Sequence, residues 1–443
     1  MHSAFIKKTK EINLYDSSTR ENLGTLSGLQ TLLLYAYYKK FTNKEISNLL
    51  RKLYYIEEEL NLDFEKYMET RFWFILSNFE TIIFDIELKD LIQDLEKYVY
   101  LDRVKYFTPV KMVISLTNSC AHKCSYCYAH KKILPKRELN YDKIKDIVDY
   151  CCTNNIKEID FTGGDVFTRN DMFDIFELLN SKGIKCNIST KIVLNKENLQ
   201  KLIQTNVIKS FQFSLDSLYQ EENDMLVKKV NVKEALLFLR SLVKESKFEE
   251  IKVNSVITKY NICNILDLSD KLFDIGVDKH CLSPYTFSKG INNEVFFAST
   301  DQFNTLFNKI KTRSDNHKLE FPISLNRTKE INDVIVCNAG VDGMVINNDG
   351  NVFLCERMCG DITHSIGNVY NSDLRSIWNN KKIYNYLLPN RELFKKSKCY
   401  NCDKFTDCVY ERGICYIHSE LLSGEFYGPD NYCTTKKHSR RIY

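Results

Sequence analysis

Between residues 109 and 285 apolar runs of strand length alternate with amphipathic runs of helix length, and this limits the possible folds more than any other feature. "KMVISL" (111–116) is the first apolar run, followed by the helical spacing of "YDKIKDIVDYCCTNN" and the strand-like "KEIDFTGG". "NDMFDIFELLNSKG", stopped at Gly183, leads to "KCNIST", and "KENLQKLIQTN" leads to "IKSFQFSLD". "VKEALLFLRSLVKE" then precedes "EIKVNSVIT", and "ILDLSDKLFDIGV" precedes "KHCLSPY". Six such βα repeats predict an α/β fold, a parallel sheet with right-handed crossovers, either doubly wound or closed wholly or partly into a barrel. In both forms ligands gather at the carboxyl ends of the strands.

The flanks read differently. Residues 1–105 predict short strands and then helices: "LSGLQTLLLYAYYKKF", "TNKEISNLLRKLYYIEEEL" with Thr42 at its N-cap, and "FEKYMETRFWFILSNF", followed by the strand-like "TIIFDIE". A compact helical unit with a β-wing is expected. From about 335 the repeats stop, and Gly, Asn, Asp and Cys punctuate short segments up to a basic tail, "KKHSRRIY". The expected division is 1–105, 106–334 and 335–443, which suits a chain of 443 residues. With 27% charged residues and a net charge of +4, nothing points to nucleic acid or a membrane surface. No run reaches the ~18 apolar residues of a membrane span. The opening "MHSAFIKKTKEINLYD" lacks the core of a signal peptide, so a cytoplasmic location is expected.

Sixteen cysteines in a reducing compartment point to metal binding or catalysis rather than disulfides. Cys151, Cys152, Cys186, Cys263 and Cys281 fall within helix or strand patterns and read as ordinary thiols. Cys120, Cys124 and Cys127, in "NSCAHKCSYCYAHKK", directly follow the first strand of the repeat region. Zinc wants four ligands, and His122 or His130 would complete a Cys3His set. A four-iron cluster held by only three thiolates leaves one iron open to a substrate or cofactor.

This Cys-x3-Cys-x2-Cys loop, with Tyr126 just before its last cysteine, resembles the radical S-adenosylmethionine (SAM) superfamily. "FTGGD", containing Thr162, Gly163, Gly164 and Asp165, resembles the family's Gly-Gly-Glu motif, which binds the methionine amino group; here Asp165 replaces the glutamate. "ISTK" and "FSLD" end the next two strands, where the family contacts ribose and carboxylate, which makes Ser189, Lys191, Ser214 and Asp216 the matching candidates. The resemblance implies a partial (β/α)6 TIM-type barrel and a 4Fe–4S cluster on Cys120, Cys124 and Cys127. It also implies reductive cleavage of SAM to a 5′-deoxyadenosyl radical, which abstracts hydrogen from an unactivated carbon.

The later cysteines resemble the SPASM extension of peptide-modifying members of that superfamily, which carries two auxiliary 4Fe–4S clusters. By that resemblance Cys337, Cys355 and Cys415 bind one cluster, and Cys399, Cys402, Cys408 and Cys433 bind the other. Six residues separate Cys408 from Cys415 where the family has three. Cys359 is additional; it, Cys281 or a substrate thiolate would fill the fourth place of the first cluster, or nothing would. The alternative is a pair of zinc sites, against which stands the single Cys-x2-Cys pair. Glu356 follows the second cysteine, where related sulfatase-maturating enzymes place a general base, so it is the candidate catalytic residue.

Residues 26–90 resemble the PqqD-like element, a winged helix–turn–helix that holds leader peptides by strand addition. Acidic and basic residues interleave there, which disfavours DNA binding. Together these resemblances imply a cytoplasmic enzyme that takes a ribosomally made precursor peptide with its leader, draws electrons from a reductant such as flavodoxin or ferredoxin, and installs a thioether, carbon–carbon or ether cross-link. Oxidation of Cys or Ser to formylglycine, another peptide modification, or modification of a small molecule are the alternatives within enzymes. A zinc-stabilised, non-catalytic binding protein is the alternative outside them.

Overall fold

The computed structural model describes residues 2–8, 12–54, 62–93, 95, 104–127, 138–286, 294–321, 337–430 and 433. Its first unit opens with a three-stranded meander, β1 (Ser3–Lys8), β2 (Ile12–Asp16) and β3 (Asn22–Leu26). Helices α1 (Gly28–Tyr38), α2 (Asn43–Tyr54) and α3 (Phe64–Asn78) follow, then β4 (Thr81–Asp85) and α4 (Leu88–Gln93). Local chemistry sets the helix starts. Ser27 and Gln30 exchange bonds in a capping box at α1, and Thr42 accepts from Glu45 N at α2. The sheet order is β3-β2-β1-β4, with β4 parallel to β1, so "TIIFDIE" completes the opening sheet instead of forming a wing hairpin. This unit has its own apolar core, which reaches past 105 to Phe107; that ring stacks on Phe74 with centroids 5.9 Å apart.

The second unit contains the predicted repeats. Strand β5 (Lys111–Ser115) is followed by a two-residue β6 (Lys123–Cys124) and helix α5 (Tyr141–Thr153). Then come β7 (Glu158–Thr162), α6 (Met172–Ser181), β8 (Lys185–Thr190), α7 (Lys196–Thr205) and β9 (Ile208–Ser214). A short helix α8 (Gln220–Leu226) and strand β10 (Val227–Lys228) intervene before α9 (Val232–Glu245). The series ends with β11 (Glu250–Ile257), α10 (Ile265–Ile275), β12 (Lys279–Pro284), α11 (Thr300–Lys311) and β13 (Leu319–Glu320). All neighbouring strands from β5 to β13 in the large sheet run parallel.

The third unit adds β14 (Gly343–Ile346), β15 (Asn351–Phe353) and β16 (Gly367–Asn368), then α12 (Leu374–Trp378), α13 (Lys382–Leu387) and α14 (Tyr416–Ser423). β14 pairs in parallel with β5, so one ten-stranded sheet, β13-β12-β11-β9-β8-β7-β5-β14-β15-β16, spans both units. One apolar core likewise runs from Met112 to Ile417.

The barrel strands alternate sharply. On β11, Ile251, Val253, Ser255 and Ile257 are buried while the residues between them are half-buried. The buried set faces the helices: Phe213 packs on Phe238 of α9, and His280 meets Ser269 of α10. The opposite face is polar. Asn187 donates to Asp160 (2.6 Å), Gln212 to Ser189 (2.7 Å) and Ser283 to Asn254 (2.7 Å). Nearer the amino ends of the strands, ion pairs join Lys252 to Glu250 and Lys279 to Glu320. A face lined with hydrogen-bonding groups is suited to a polar ligand.

Candidate functional site

The cysteine loop leaves β5 at the carboxyl edge of the sheet, and backbone contacts fix its course. Leu116 N donates to Thr162 O (2.9 Å), extending the β5–β7 pairing by one residue. Gly164 N then donates to Thr117 O (2.6 Å), and Asp165 N to Ser119 O (2.8 Å). A Cβ on Gly164 would lie 1.9 Å from Ser119 O, and one on Gly163, at φ +135°, 2.4 Å from Thr117 O. In this structure the two glycines admit the backbone of the cysteine loop itself. Glu138 accepts from Thr117 Oγ1 (3.2 Å), Asn118 N (3.1 Å) and Asn348 Nδ2 (3.0 Å). Arg169, held by Asp171, donates to Leu116 O (2.9 Å) and Leu139 O (3.0 Å). On the far side β6 pairs with β10, placing Cys124 opposite Val227. Cys120, Cys124 and Cys127 are all half-buried, and none is in a disulfide.

The strand-end candidates fall into two groups. Asp165 is buried and accepts from Thr190 Oγ1 (2.8 Å), Lys191 N (3.0 Å) and Phe167 N (3.2 Å). Burial raises its pKa above the usual carboxylate range, partly offset by these bonds and by nearby His122. Asp216, 1% exposed, accepts from Tyr126 Oη, from Lys191 Nζ (3.1 Å) and from Val256 N (2.9 Å). Burial, then the charges of Asp216 and Cys124, holds the Tyr126 hydroxyl protonated far above its usual range. Tyr126, Lys191 and Asp216 thus tie the cysteine loop to the ends of β8, β9 and β11. Ser189 accepts from Gln212, and Ser214 closes β9 opposite Asn254. His122 is buried beside Asp165, and His130 lies outside the described residues.

Glu356 follows β15 and projects onto β7. Burial first, and then Asp160, raises its pKa, while a hydrogen bond with Thr162 lowers it. Asp160 and Asn187 were not singled out from the sequence; the alternation of "KEIDFT" and "KCNIST" is the signal that places them on one face.

The later cysteines form two sets. The Cys355 thiol is pushed up to about 11 by burial and by Cys337, and Cys415 to about 12 by burial, with Cys355 and Cys337 among its neighbours. Cys399, raised to about 11 by burial, has Cys433, Cys402 and Cys408 beside it, and all four line one cavity with Arg412 and Asp430. Cys359 neighbours Cys355 and Glu356, whereas Cys281 points at Glu320 Oε2 (3.0 Å) on β13. Buried thiols become thiolates only against a compensating cation, and sulfur-only sets, three neighbouring thiols and four around one cavity, fit iron–sulfur clusters.

The fold and these cysteine sets define a SAM-dependent iron–sulfur enzyme. The chain carries a radical SAM domain, whose superfamily model matches residues 114–294, and a SPASM iron–sulfur cluster-binding domain, whose model matches residues 337–403. These two domains imply SAM and 4Fe–4S clusters as cofactors in place of zinc. The AdoMet-dependent heme synthase of Nitratidesulfovibrio vulgaris is 22% identical over 341 residues, 72% of this chain and 91% of its own. The mycofactocin maturase MftC of Mycolicibacterium smegmatis is 22% identical over 332 residues, 73% of this chain and 82% of its own. The crystal structure of Streptococcus suis SuiB bound to precursor peptide SuiA aligns with 98% of this chain and 100% of its own, with TM-score 0.62 and 16% identity. Among the described residues no helix is long and apolar enough to cross a membrane.

Proposed function

We propose that this enzyme removes a hydrogen atom from a ribosomally made precursor peptide and joins the resulting carbon to a cysteine sulfur or another side chain. The observation that carries the reading is the placement of Glu356. The third unit delivers this carboxyl, its pKa raised by burial, to Asp160 and Thr162 on the polar face, at the same sheet edge as the cysteine loop. Cys120, Cys124 and Cys127 are assigned to the SAM-binding cluster, which with bound SAM supplies the one-electron chemistry. Thr162, Gly163, Gly164 and Asp165 shape the SAM pocket from one side; Ser189, Lys191, Ser214 and Asp216 shape it from the other, with Tyr126 bracing the loop. Cys337, Cys355 and Cys415 are assigned to one auxiliary cluster, and Cys399, Cys402, Cys408 and Cys433 to the second. Cys359, a neighbour of Cys355, would complete the first.

Glu356 takes up the proton released as the new bond forms, its raised pKa making it the stronger base, and an auxiliary cluster would accept the electron released with that proton. The first unit offers sheet edges at β3 and β4 for a leader peptide added as a strand. The relatives support this reading by name, a maturase among them, and SuiB was solved with a precursor peptide. The electron donor is proposed to be a flavodoxin or ferredoxin, and the working compartment the cytoplasm.

The test is anaerobic incubation of the reconstituted enzyme, SAM and dithionite with candidate short peptides sought in the open reading frames next to its gene, cysteine-containing ones first, followed by mass spectrometry. Loss of two hydrogens together with one cysteine blocked to alkylation supports a thioether, and the same loss with every thiol free supports a carbon–carbon or ether link. Formylglycine at the cysteine favours the alternative. Unchanged peptide in the presence of deoxyadenosine overturns the substrate assignment.

A further inference from the structure

We propose that Asp361, His364 and Glu420 form a site for a single divalent first-row metal ion, separate from all the cysteine sets. Their ligand atoms lie within 4.8 Å of one another. Asp361 and His364 stand at the two ends of a tight turn, three residues apart, where a 3-10 turn stacks side chains on one side. Glu420 reaches them from α14.

The independent observation is the imidazole. His364 is 8% exposed, and its Nε2 is buried without a hydrogen-bond partner. It faces Glu420 Oε2 at 3.7 Å, too far for a hydrogen bond. Such a buried nitrogen is destabilising unless something satisfies it. Two atoms that share an ion at ~2.1 Å each stand roughly 3–3.5 Å apart, so a small contraction converts this gap into two coordination bonds. Phe426 lies flat on the imidazole, centroids 4.5 Å apart, and fixes the ring plane. Asp361 Oδ1 is held in turn by Thr363 N (2.9 Å) and Thr363 Oγ1 (2.7 Å), an outer-sphere support typical of ligating carboxylates. One imidazole and two carboxylates suit Zn2+, Mn2+ or Fe2+, and the absence of thiolate separates this set from a cluster site. The ion would staple the turn that follows Cys355 and Cys359 to the helix that begins just after Cys415.

Mn2+ is the probe, because it favours oxygen and nitrogen over the thiolates elsewhere in the chain. It is added to the cluster-loaded enzyme, and the free ion is followed by its six-line EPR signal. Wild type should bind about one Mn2+ per chain, and Glu420→Gln and His364→Ala should each weaken binding roughly tenfold or more with iron content unchanged. Mn2+ should raise the melting temperature of wild type but not of Glu420→Gln. Equal uptake by wild type and both variants, or no uptake by wild type, overturns the site. Neither result touches the peptide reading, whose failure would show only in the product masses.

Discussion

His280 shows how this barrel treats a titratable group it does not use for chemistry. It is fully buried, with Nε2 2.8 Å from Ser255 Oγ and Nδ1 2.8 Å from Ser269 Oγ, and burial lowers its pKa from 6.5 to about 3. The unfolded chain protonates it near pH 6.5, the folded chain only near 3. Stability from this group is therefore complete above pH 6.5 and falls as pH drops, by ~1.4 kcal/mol per unit. In urea titrations, wild type should lose ~2 kcal/mol more than His280→Gln between pH 6.5 and 5; parallel losses would refute the account. The glycines offer a second contrast. A methyl on Gly164 collides with Ser119 O, whereas Gly183, at φ +64°, has nothing within 4 Å. Gly164→Ala should forfeit about four of some twelve irons and with them deoxyadenosine formation, measured by iron assay and chromatography. Gly183→Ala should cost ~1 kcal/mol of stability at full iron content.

At the scale of elements, the cysteine loop is held mostly by backbone donors and acceptors, which is why so few of its supports could be read beforehand. Glu138 is the clearest case, since nothing in its local sequence marks it out, yet it gathers Thr117, Asn118 and Asn348. Glu138→Ala should loosen the loop by roughly 1–3 kcal/mol, seen as about 10- to 100-fold faster amide exchange at 118–120, with Gln restoring part of the protection. The predicted strands and helices of the repeat region recur in the structure because each carries a strong period and many carry a capping residue, as Asn140, Asn195 and Asn231 do. The α8–β10 excursion was not legible. It is too short for a period, and it exists because β10 pairs with the cysteine loop 103 residues earlier, at Cys124 opposite Val227. Nor was the role of Asp165 and Asp216 as hubs, since their partners come from several strand ends at once.

Across the whole molecule, the units meet at a buried lysine. Lys105, 2% exposed, donates to Tyr106 O (3.1 Å) and Asn379 Oδ1 (3.0 Å) and stands 4.4 Å over the Trp378 ring. Gln30 of α1 donates to Lys105 O (2.9 Å) and accepts from Tyr384 of α13 (2.5 Å), so first and third units share one polar joint. Burial lowers the Lys105 pKa well below its usual value. Lys105→Met keeps the stem and removes the ammonium; Trp378 Nε1 still serves Tyr106 O, so melting at neutral pH should hold or rise, and a drop of several degrees would refute this. Such joints link residues hundreds of positions apart, beyond the reach of any local pattern. The pairing of β5 with β14 belongs to the same class, and it has a mechanical consequence. Four successive residue pairs, from Lys111–Gly343 to Ile114–Ile346, weld the SAM-binding region to the auxiliary-cluster region without a hinge. Two jaws opening along that seam would have to break all four pairings, so the chain-like substrate proposed above would have to thread into the site while those strands stay joined.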